Sequence, residues 1–563
     1  MNHVMHAMNQ AAELIQQAYR RAVEQGTLPE HPFERVPVEI PKDNKNGDYA
    51  SSFAMQAAKA LGMPPRKIAE AVCAAMELEG SLFASVEIAG PGFINLRLAP
   101  AYFAGVLENI RQEGRDYGRS KTDKPEKIMV EFVSANPTGP MHMGNARGGV
   151  LGDSLAEVLD RAGNEVSREF YVNDAGNQIE KFAQSLEARY FQRLHGEDSY
   201  PFPEDGYHGD DIKELANDFY AIHGDKYEKA SQQERHDALV QFGLERNLKK
   251  MREDLEKYRI HYDTWFFEST LHESGYVKET IDQLVAKGAT YEKDGALWLR
   301  TSDYGCEKDD VLRRANGFYT YFAADIAYHR NKFEKRGFDR VINIWGADHH
   351  GHVARLKAAL DVLGLDGSHR LEIVLMQLVR LMRDGEVVRM SKRTGKAITL
   401  SDLLDEISCD AARYFFNSRA ADTHLEFDLG LAVREDNENP VYYVQYAHAR
   451  IKSILRNLEK EGVQCGQTPD LALLNSQEEL DLIRELARLP EEIRLAARDR
   501  EPARMNRYAN NVASAFHRFY TVSRIRDAET PELRDARVAL IQCVATVIEN
   551  TLSVFGVTAP DQM

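Results

Sequence analysis

The sequence predicts an α/β protein in which a Rossmann-type domain with a parallel sheet lies between a small N-terminal α+β domain and a C-terminal all-α helical bundle. Three observations predict this arrangement. A strand, a turn, a helix and a second strand follow one another over 127–172, and the same alternation returns at 339–381. From residue 441 onward the apolar residues have helical spacing, without a convincing strand pattern.

The N-terminal domain, residues 1–115, mixes helix and strand patterns. Amphipathic spacing predicts helices over 10–24, 48–61 and 65–76, the last one beginning with a proline. Short alternating stretches predict strands at 38–40, 86–88 and 93–98, the latter two joined across Gly90-Pro91-Gly92. We therefore expect a compact α+β unit before the sheet domain.

The sheet domain, residues 116–438, begins with an apolar strand at 128–133 that breaks at the turn formers 136–140 and restarts as a helix near Gly144. A second strand is predicted at 165–172, and a later strand, helix and strand at 339–345, 350–363 and 371–381. The intervening segment 178–287 is highly charged and largely helical in pattern. We interpret it as a helical insertion, to which the sequence assigns no role.

The C-terminal domain, residues 439–563, predicts four helices at 441–458, 478–498, 501–524 and 532–555. Its arginines and aromatic residues between 494 and 520 form a combination suited to phosphates and unstacked bases, although solvated helix faces would look much the same.

Composition excludes several classes of protein. With 563 residues and a net charge of −17, the chain is not a general nucleic-acid coat, although an RNA partner is possible where basic residues concentrate locally. The five cysteines are scattered, which argues against a disulfide framework and a cysteine zinc site. We find no apolar run long enough to span a bilayer and no signal-peptide pattern at the N-terminus. The expected location is the cytoplasm, without a membrane partner.

The first motif, Pro140-Met141-His142-Met143-Gly144-Asn145, lies at the junction of the predicted strand and helix. Unpaired N–H groups and the positive end of the helix dipole at such a junction favour an anion such as a nucleotide phosphate. The imidazole and the amide could donate to the same oxygens. The alternative is a loop histidine followed by an asparagine that caps the helix.

The second motif, 389–396, reads RMSKRTGK and follows a predicted strand and an Asp384-Gly385 turn. Its cations could clamp a polyphosphate, with Lys392 acting as a mobile point charge. A solvated basic loop is the alternative. The two motifs support each other, because both are predicted at strand ends of one parallel sheet, where ligands of such folds bind.

The third motif, 345–352, reads WGADHHGH and also follows a strand. A metal site is conceivable, but consecutive residues rarely aim at one ion. A carboxylate placed on ribose hydroxyls is the better interpretation.

At these motifs the chain resembles a known family. HMGN and RMSKR are similar to the HIGH and KMSKS signatures of class I aminoacyl-tRNA synthetases, in the expected order. Longer stretches narrow the resemblance to arginyl-tRNA synthetases: EFVSANPTGPMHMGNARG, REFYVNDAGNQ, YFAADIAYH, WGADHHGH and NPVYYVQYAHARI. Together with both terminal domains, the resemblance covers essentially the whole chain. The sequence departs from the signatures at Asn145, which replaces a histidine, and at Arg389 and Arg393, which replace a lysine and a serine.

The resemblance implies that arginine is activated with ATP to arginyl-adenylate and transferred to the terminal ribose of tRNA(Arg), with arginine activation dependent on bound tRNA. It implies catalytic roles for His142, Asn145 and Lys392. ATP binding would involve Gly144, Gly346, Asp348, His349, Met390 and Ser391. Magnesium would be required, although no protein ligand set stands out, which is usual when substrate phosphates and water carry the ion.

The residues implied for arginine binding are Glu131, Ser134, Asn136, Tyr321 and Asp325. A guanidinium group needs carboxylates as acceptors, and Tyr321 and Asp325 lie four apart, on one helix face. The alternatives are an exposed strand carboxylate and a Tyr-Asp pair on a helix surface. In this family the C-terminal bundle reads the anticodon and the N-terminal domain reaches the outer corner of the tRNA. We expect tRNA contacts from Tyr446, Arg450 and Tyr520.

Two rival functions stay open. One is a class I synthetase for another amino acid. A cysteine-specific synthetase would need thiolate zinc ligands, and a glutamate-specific synthetase would need a cationic pocket. The other is a non-catalytic tRNA-binding paralogue, which intact motifs at both phosphate positions disfavour. We expect a monomer that binds tRNA(Arg), arginine and ATP.

Overall fold

The computed structural model describes residues 1–388, 398–463, 466 and 468–563. The N-terminal domain consists of α1 (His3–Glu24), β1 (Tyr49–Ser51), α2 (Phe53–Leu61), α3 (Pro65–Ala74), β2 (Phe83–Ala89), β3 (Phe93–Leu98) and α4 (Pro100–Glu113). Its strands form an antiparallel sheet in the order β1-β3-β2.

Two predictions for the N-terminal domain are wrong. The helix predicted from residue 48 begins at Phe53, because the preceding residues pair with β3: the Asp48 N–H donates to the Leu96 carbonyl (2.9 Å) and the Asp48 carboxylate accepts from the Leu98 N–H (2.8 Å). The strand predicted at 38–40 is reduced to an isolated bridge between Glu39 and Ala50.

The sheet domain contains the following elements in chain order: β4 (Lys127–Glu131), α5 (Met143–Arg161), β5 (Glu165–Val172), α6 (Asn177–His195), α7 (Asp210–His223), α8 (Gln232–Lys257), β6 (Thr264–Phe267), α9 (Ser269–Glu273), α10 (Tyr276–Ala286), β7 (Thr290–Lys293), β8 (Ala296–Leu299), β9 (Asp310–Arg313), α11 (Tyr321–Arg330), β10 (Arg340–Gly346), α12 (His350–Leu363), α13 (Gly367–Arg370), β11 (Leu371–Met376), β12 (Val379–Arg383), β13 (Glu386–Val388), α14 (Leu400–Glu406), α15 (Cys409–Phe416), β14 (Leu425–Asp428) and α16 (Leu429–Ala432). A π-helical turn, Asn331–Lys335, continues α11.

The central sheet is parallel, in the order β11-β10-β4-β5-β6. The chain enters it at β4, proceeds outward through β5 to β6, and then returns to β10 on the other side of β4. The strand order therefore reverses between β4 and β10. In open α/β sheets this switch point, at the carboxyl ends of the strands, is where ligands bind.

The strand predicted at 371–381 is in fact two strands in different sheets. After β11 the chain leaves the parallel sheet, because Gln377 bonds elsewhere: its N–H donates to the Ala421 carbonyl (2.9 Å) and its carbonyl accepts from Arg147 (2.7 Å). β12 then joins a small sheet in the order β13-β12-β14. The second motif follows β13, so the prediction that both motifs follow strands of one parallel sheet is also wrong.

The segment 178–287 is not wholly a helical insertion. It contributes β6, the edge strand of the parallel sheet, which pairs with β5. The aromatic run Trp265-Phe266-Phe267 has strand character that the high charge of the surrounding helices obscures. The helices α6, α7 and α8 pack around a separate apolar cluster that contains Phe182 and Phe219.

The helices of the C-terminal domain are α17 (Pro440–Lys460), α18 (Gln477–Ala487), α19 (Leu489–Asp499), α20 (Ala503–Val522) and α21 (Pro531–Val554). The single helix predicted at 478–498 is therefore α18 followed by α19. Pro490 has no N–H for the Leu486 carbonyl, which accepts from the Tyr117 hydroxyl instead (3.1 Å). The proline thus ends one helix and starts the next.

Contrary to the sequence-based expectation, one helix among the described residues, α21, is long and apolar enough to cross a membrane by length and composition alone. In its most apolar window, 78% of the residues are buried inside the protein. This burial is typical of a core helix of a bundle.

Arg413, on α15, is fully buried and joins three separate segments of the chain. Its guanidinium donates to the Asp153 carboxylate on α5, to the Tyr258 carbonyl (2.8 Å) at the end of α8, and to the Phe555 carbonyl at the end of α21. The guanidinium can satisfy these acceptors together because it carries several donors in one planar fork.

We predict that Arg413→Met destabilises the protein strongly, because it leaves buried acceptors without a donor. The expected loss is about 3–5 kcal/mol, which should lower the thermal unfolding midpoint by more than about 5 °C. The matched control is Arg498→Met, whose side chain is 59% exposed and pairs with its neighbour Asp499. Equal midpoints for the two variants would contradict the assigned role of Arg413.

Candidate active site

A cavity of about 1090 Å³ lies at the switch point, beyond the carboxyl ends of β4 and β10. Its lining includes the ends of these strands, the ends of β5 and β6, the segment 305–310, and the starts of α11 and α12. The structure brings eight of the predicted site residues together in this lining: Glu131, Ser134, Asn136, Tyr321, Asp325, Gly346, Asp348 and His349.

The backbone that leaves β4 is strained where it forms the cavity wall. Val133 and Ser134 have φ values of 71° and 45°, a conformation that is unfavourable for a β-branched residue. The Ser134 hydroxyl donates to Glu131 Oε1 (3.0 Å) and accepts from the Tyr171 N–H (3.2 Å). The turn thus fixes the serine hydroxyl between β4 and β5.

Tyr321 and Asp325 lie one turn apart on α11, and both line the cavity. Asp325 Oδ2 is 2.5 Å from His352 Nε2, and Asp325 Oδ1 is 3.0 Å from His329 Nδ1. Burial alone would raise the pKa of the Asp325 carboxyl, but its contacts with the two histidines outweigh burial and hold that pKa well below its usual range. Asp325 is therefore an anion at neutral pH, suited to a cationic ligand.

Glu131 is only 6% exposed and is already paired. Its Oε2 accepts from Lys332 Nζ (2.5 Å), and Lys332 is fully buried. The alternative of an exposed strand carboxylate is thus wrong. Because Lys332 compensates the charge of Glu131, Asp325 is the stronger centre of negative potential for a cation in this part of the cavity.

The first motif lies at the N-terminus of α5 and outside the cavity lining. His142 precedes the helix and is exposed, while its N–H donates to Asn145 Oδ1 (2.9 Å). Asn145 therefore caps the helix, which leaves its amide nitrogen as the group able to donate to a ligand. Gly144 is exposed in the first turn, where helix N–H groups lack intrahelical acceptors.

Met390, Ser391 and Lys392 of the second motif lie outside the described residues. The residues that follow the second motif in the chain contact the first motif. Thr399 forms an antiparallel bridge with His142, and the Leu400 N–H donates to the Met141 carbonyl (3.0 Å). The residues that follow the second motif are therefore anchored to the first motif.

The third motif begins where β10 ends, at Gly346. The side chains of Asp348 and His349 are 82% and 60% exposed and lie 3.7 Å apart at their nearest nitrogen and oxygen. Both are thus free to face a ligand in the cavity. Among the residues that the structure describes, no group of three or more His, Cys, Asp or Glu side chains is arranged to hold a metal ion.

Several cavity residues escaped the sequence analysis. Glu268, which is 3% exposed, follows β6, and recognising the aromatic run as a strand would have placed it at a strand end. Burial and then the nearby Glu268 carboxylate raise the pKa of Tyr171, which also lines the cavity. His352 is part of the third motif. Lys332 does not line the cavity but pairs with Glu131, and nothing in the local sequence distinguishes it from a surface lysine.

Tyr446, Arg450 and Tyr520 form one half-buried cluster on the C-terminal bundle. The Arg450 guanidinium lies over the Tyr520 ring, 4.7 Å from its centroid, and donates to the Tyr446 hydroxyl (2.7 Å). A cation stacked on aromatic rings is a surface that could accept unstacked bases and phosphates.

The other arginines and aromatic residues considered for RNA contact do not form such a surface. Tyr508, Phe516 and Phe519 are buried in the bundle core. The arginines are held in ion pairs within the chain: Arg494 with Glu491, Arg498 with Asp499, Arg500 with Glu372, Arg504 with Glu492, and Arg507 with Glu501.

Comparison with protein families accounts for almost the whole chain. Residues 9–98 match the arginyl tRNA synthetase N-terminal domain, and residues 106–429 match the catalytic domain of class I (R) tRNA synthetases. Residues 444–563 match the DALR anticodon-binding domain. The three matches follow one another in the order of the three structural domains.

Comparison with individual proteins points to the same family. The chain is 54% identical to an arginine–tRNA ligase from Caldanaerobacter subterraneus subsp. tengcongensis, over 100% of both chains. It is 53% identical to an arginine–tRNA ligase from Ruminiclostridium cellulolyticum, over 96% of both. The solved structure of Thermus thermophilus arginyl-tRNA synthetase matches with a TM-score of 0.72 over 99% of this chain and 100% of that one; at 22% identity, this likeness shows the fold alone.

Proposed function

The chain belongs to the arginyl-tRNA synthetase family, and we propose that it is an arginine–tRNA ligase. It activates arginine with ATP to arginyl-adenylate and transfers the arginyl group to the 3′-terminal ribose of tRNA(Arg). The observation that carries this proposal is the cavity at the switch point, which combines an anionic Asp325 with exposed polar residues at the end of β10. A cationic amino acid and a nucleotide could meet there.

In the first step an oxygen of the arginine carboxylate attacks the α-phosphorus of ATP, and pyrophosphate leaves. In the second, a ribose hydroxyl attacks the arginyl carbonyl, and AMP leaves. Neither step needs a covalent enzyme intermediate, so positioning and electrostatic stabilisation supply the catalysis. We assign the phosphate contacts to His142, Gly144 and Asn145 at the start of α5, and to Lys392 with Met390 and Ser391.

Recognition of the nucleoside is assigned to Gly346, Asp348 and His349, whose exposure at the end of β10 supports this role. Among the residues described, no protein ligand set for a metal is present, so Mg²⁺ would take its ligands from substrate phosphates and water. The magnesium ion would then neutralise part of the phosphate charge.

Arginine recognition is assigned to a second group of residues that line the cavity. Asp325 would accept from the guanidinium beside Tyr321, and its negative charge at neutral pH supports that role. Glu131, held by Lys332 and Ser134, would offer its remaining lone pairs to the same group. Ser134 and Asn136 would contact the α-amino end.

The RNA partner would contact both ends of the chain. The cluster of Tyr446, Arg450 and Tyr520 supports an anticodon contact by its stacked cation and rings. We further propose that arginine is activated only while tRNA is bound, and that the protein works as a monomer in the cytoplasm, where translation takes place.

The decisive experiment incubates the protein with total tRNA, ATP, magnesium and labelled arginine. Labelled tRNA is the expected product, and ATP–pyrophosphate exchange should require added tRNA. Charging with a different amino acid would favour another class I specificity. Binding of tRNA without charging of any amino acid would favour the non-catalytic paralogue.

We predict that Lys392→Ala reduces the aminoacylation rate by more than roughly a hundredfold, because a cation that stabilises the transition state is lost. The measurement is the initial rate of charging at saturating arginine and ATP. The control is Lys249→Ala, since the Lys249 side chain is 79% exposed on α8. A rate within about threefold of wild type would remove Lys392 from its assigned role.

We predict that Asp325→Asn raises the KM for arginine by roughly 10- to 100-fold, since a hydrogen bond to a charged partner becomes one to a neutral amide. The KM for ATP should stay within about twofold. Steady-state kinetics measure both values, with Asp282→Asn, 61% exposed on α10, as the matched control. An unchanged arginine KM would exclude Asp325 from the arginine pocket.

A further inference from the structure

Three polar residues form a buried row across the parallel sheet. The strand register places Asn343 of β10 beside Glu131 of β4, and Glu131 beside Glu169 of β5. Their exposures are 0%, 6% and 0%. Parallel strands covered on both faces are usually apolar, and buried polar groups need partners. This row therefore requires a second polar layer above it.

That layer comes from α11 and its π-helical continuation, Asn331–Lys335. Lys332 Nζ donates to Glu131 Oε2 (2.5 Å) and to Asn343 Oδ1 (3.3 Å). The ring of Tyr328 lies 4.0 Å from the same ammonium group. A π-helical turn, which is rare and often found at functional sites, thus directs this lysine into the protein interior.

The lysine fixes the orientation of the Asn343 amide and, through it, the protonation of His329. An ammonium group can only donate, so the oxygen of Asn343 must face Lys332. The amide nitrogen of Asn343 then donates to His329 Nε2, 2.7 Å away, and this nitrogen carries no proton. The proton of the neutral imidazole is therefore on Nδ1, whose N–H lies between two acceptors of Asp325, the backbone carbonyl (2.8 Å) and Oδ1 (3.0 Å).

A second set of contacts fixes the other histidine beside Asp325 in the same way. Arg355 Nε donates to His352 Nδ1 (2.7 Å), and Arg355 is held in turn by Asp310 (2.6 Å). Since Nδ1 accepts, the proton of His352 is on Nε2, which donates to Asp325 Oδ2 (2.5 Å). Both histidines are thus neutral donors that orient the carboxylate without cancelling its charge.

We propose that Lys332, Asn343 and Arg355 are specificity-determining positioning residues, which act through His329 and His352 to keep Asp325 an oriented, uncompensated anion. The inference rests on the proposed function, because the ligand that benefits is the guanidinium of arginine. These buried residues thereby make the site select a cationic side chain over a neutral one of the same shape. Citrulline, in which a ureido group replaces the guanidinium, is the matching neutral probe.

The test is Asn343→Asp, which preserves shape and replaces the amide donor with an acceptor. The new carboxylate accepts from Lys332 and from His329 Nε2, so His329 must carry a second proton and cancel the charge of Asp325. We expect the KM for arginine to rise roughly 10- to 100-fold, with kcat and the ATP KM within about threefold. The inhibition constant of citrulline should hardly change, so selectivity for arginine falls by the same factor.

A second pair of variants keeps the proposal testable should Asn343→Asp fail to fold. His352→Gln retains a donor near the Nε2 position and should keep the arginine KM within about threefold of wild type, whereas His352→Leu should raise it more than tenfold. ¹⁵N NMR of histidine-labelled protein should show His329 as the neutral Nδ1–H tautomer in the wild type and as imidazolium in Asn343→Asp.

The proposal is overturned if a folded Asn343→Asp variant keeps its selectivity for arginine over citrulline. It is also overturned if kcat and the KM values of all substrates change by the same factor. Equal KM values for His352→Gln and His352→Leu would also overturn it. Failure of the wild-type protein to charge tRNA with arginine is a different result, since it refutes the proposed function itself.

Discussion

The structure of the candidate site depends on two carboxylates, Glu131 and Glu169, that are buried in central strands of a parallel sheet. Leaving a buried carboxylate without its partner costs several kcal/mol, so both must be paired from the layer above. Lys332 pairs with Glu131, and Arg336 and the Tyr328 hydroxyl pair with Glu169. These contacts fix the register of α11 on the sheet and thereby the positions of Tyr321 and Asp325 relative to β4.

The helix α5 connects the site to the rest of the molecule. It begins within the first motif and ends at Arg161, whose guanidinium donates to the Asn550 carbonyl (2.7 Å) and the Ser553 hydroxyl (3.0 Å) on α21. One helix of 19 residues thus runs from the proposed phosphate site to the bundle proposed to bind RNA. The buried Arg413 holds the same helix at Asp153, so the position of α5 is determined by the C-terminal bundle as well as by the sheet.

Local patterns predicted most of the elements, and the mistakes arise where contacts with distant segments outweigh the local pattern. The strand, turn and helix around the first motif, β5 and α12 follow from periodicity and turn residues, which act over short distances. The residues before Phe53 have helical periodicity, but their pairing with β3 outweighs that propensity. Likewise, β12 continues the apolar pattern of β11, and only the contact of Gln377 with Ala421 takes it into another sheet.

The sequence by itself determined the three-domain order, the family and the side chains that line the cavity at strand ends, because these depend on residue types at characteristic spacings. It also places Tyr321 and Asp325 on one helix face. What faces them was decided by tertiary structure alone. Asn343 comes from another strand, and its amide is oriented by Lys332, so the charge presented to a ligand results from contacts between distant segments that carry no local signal.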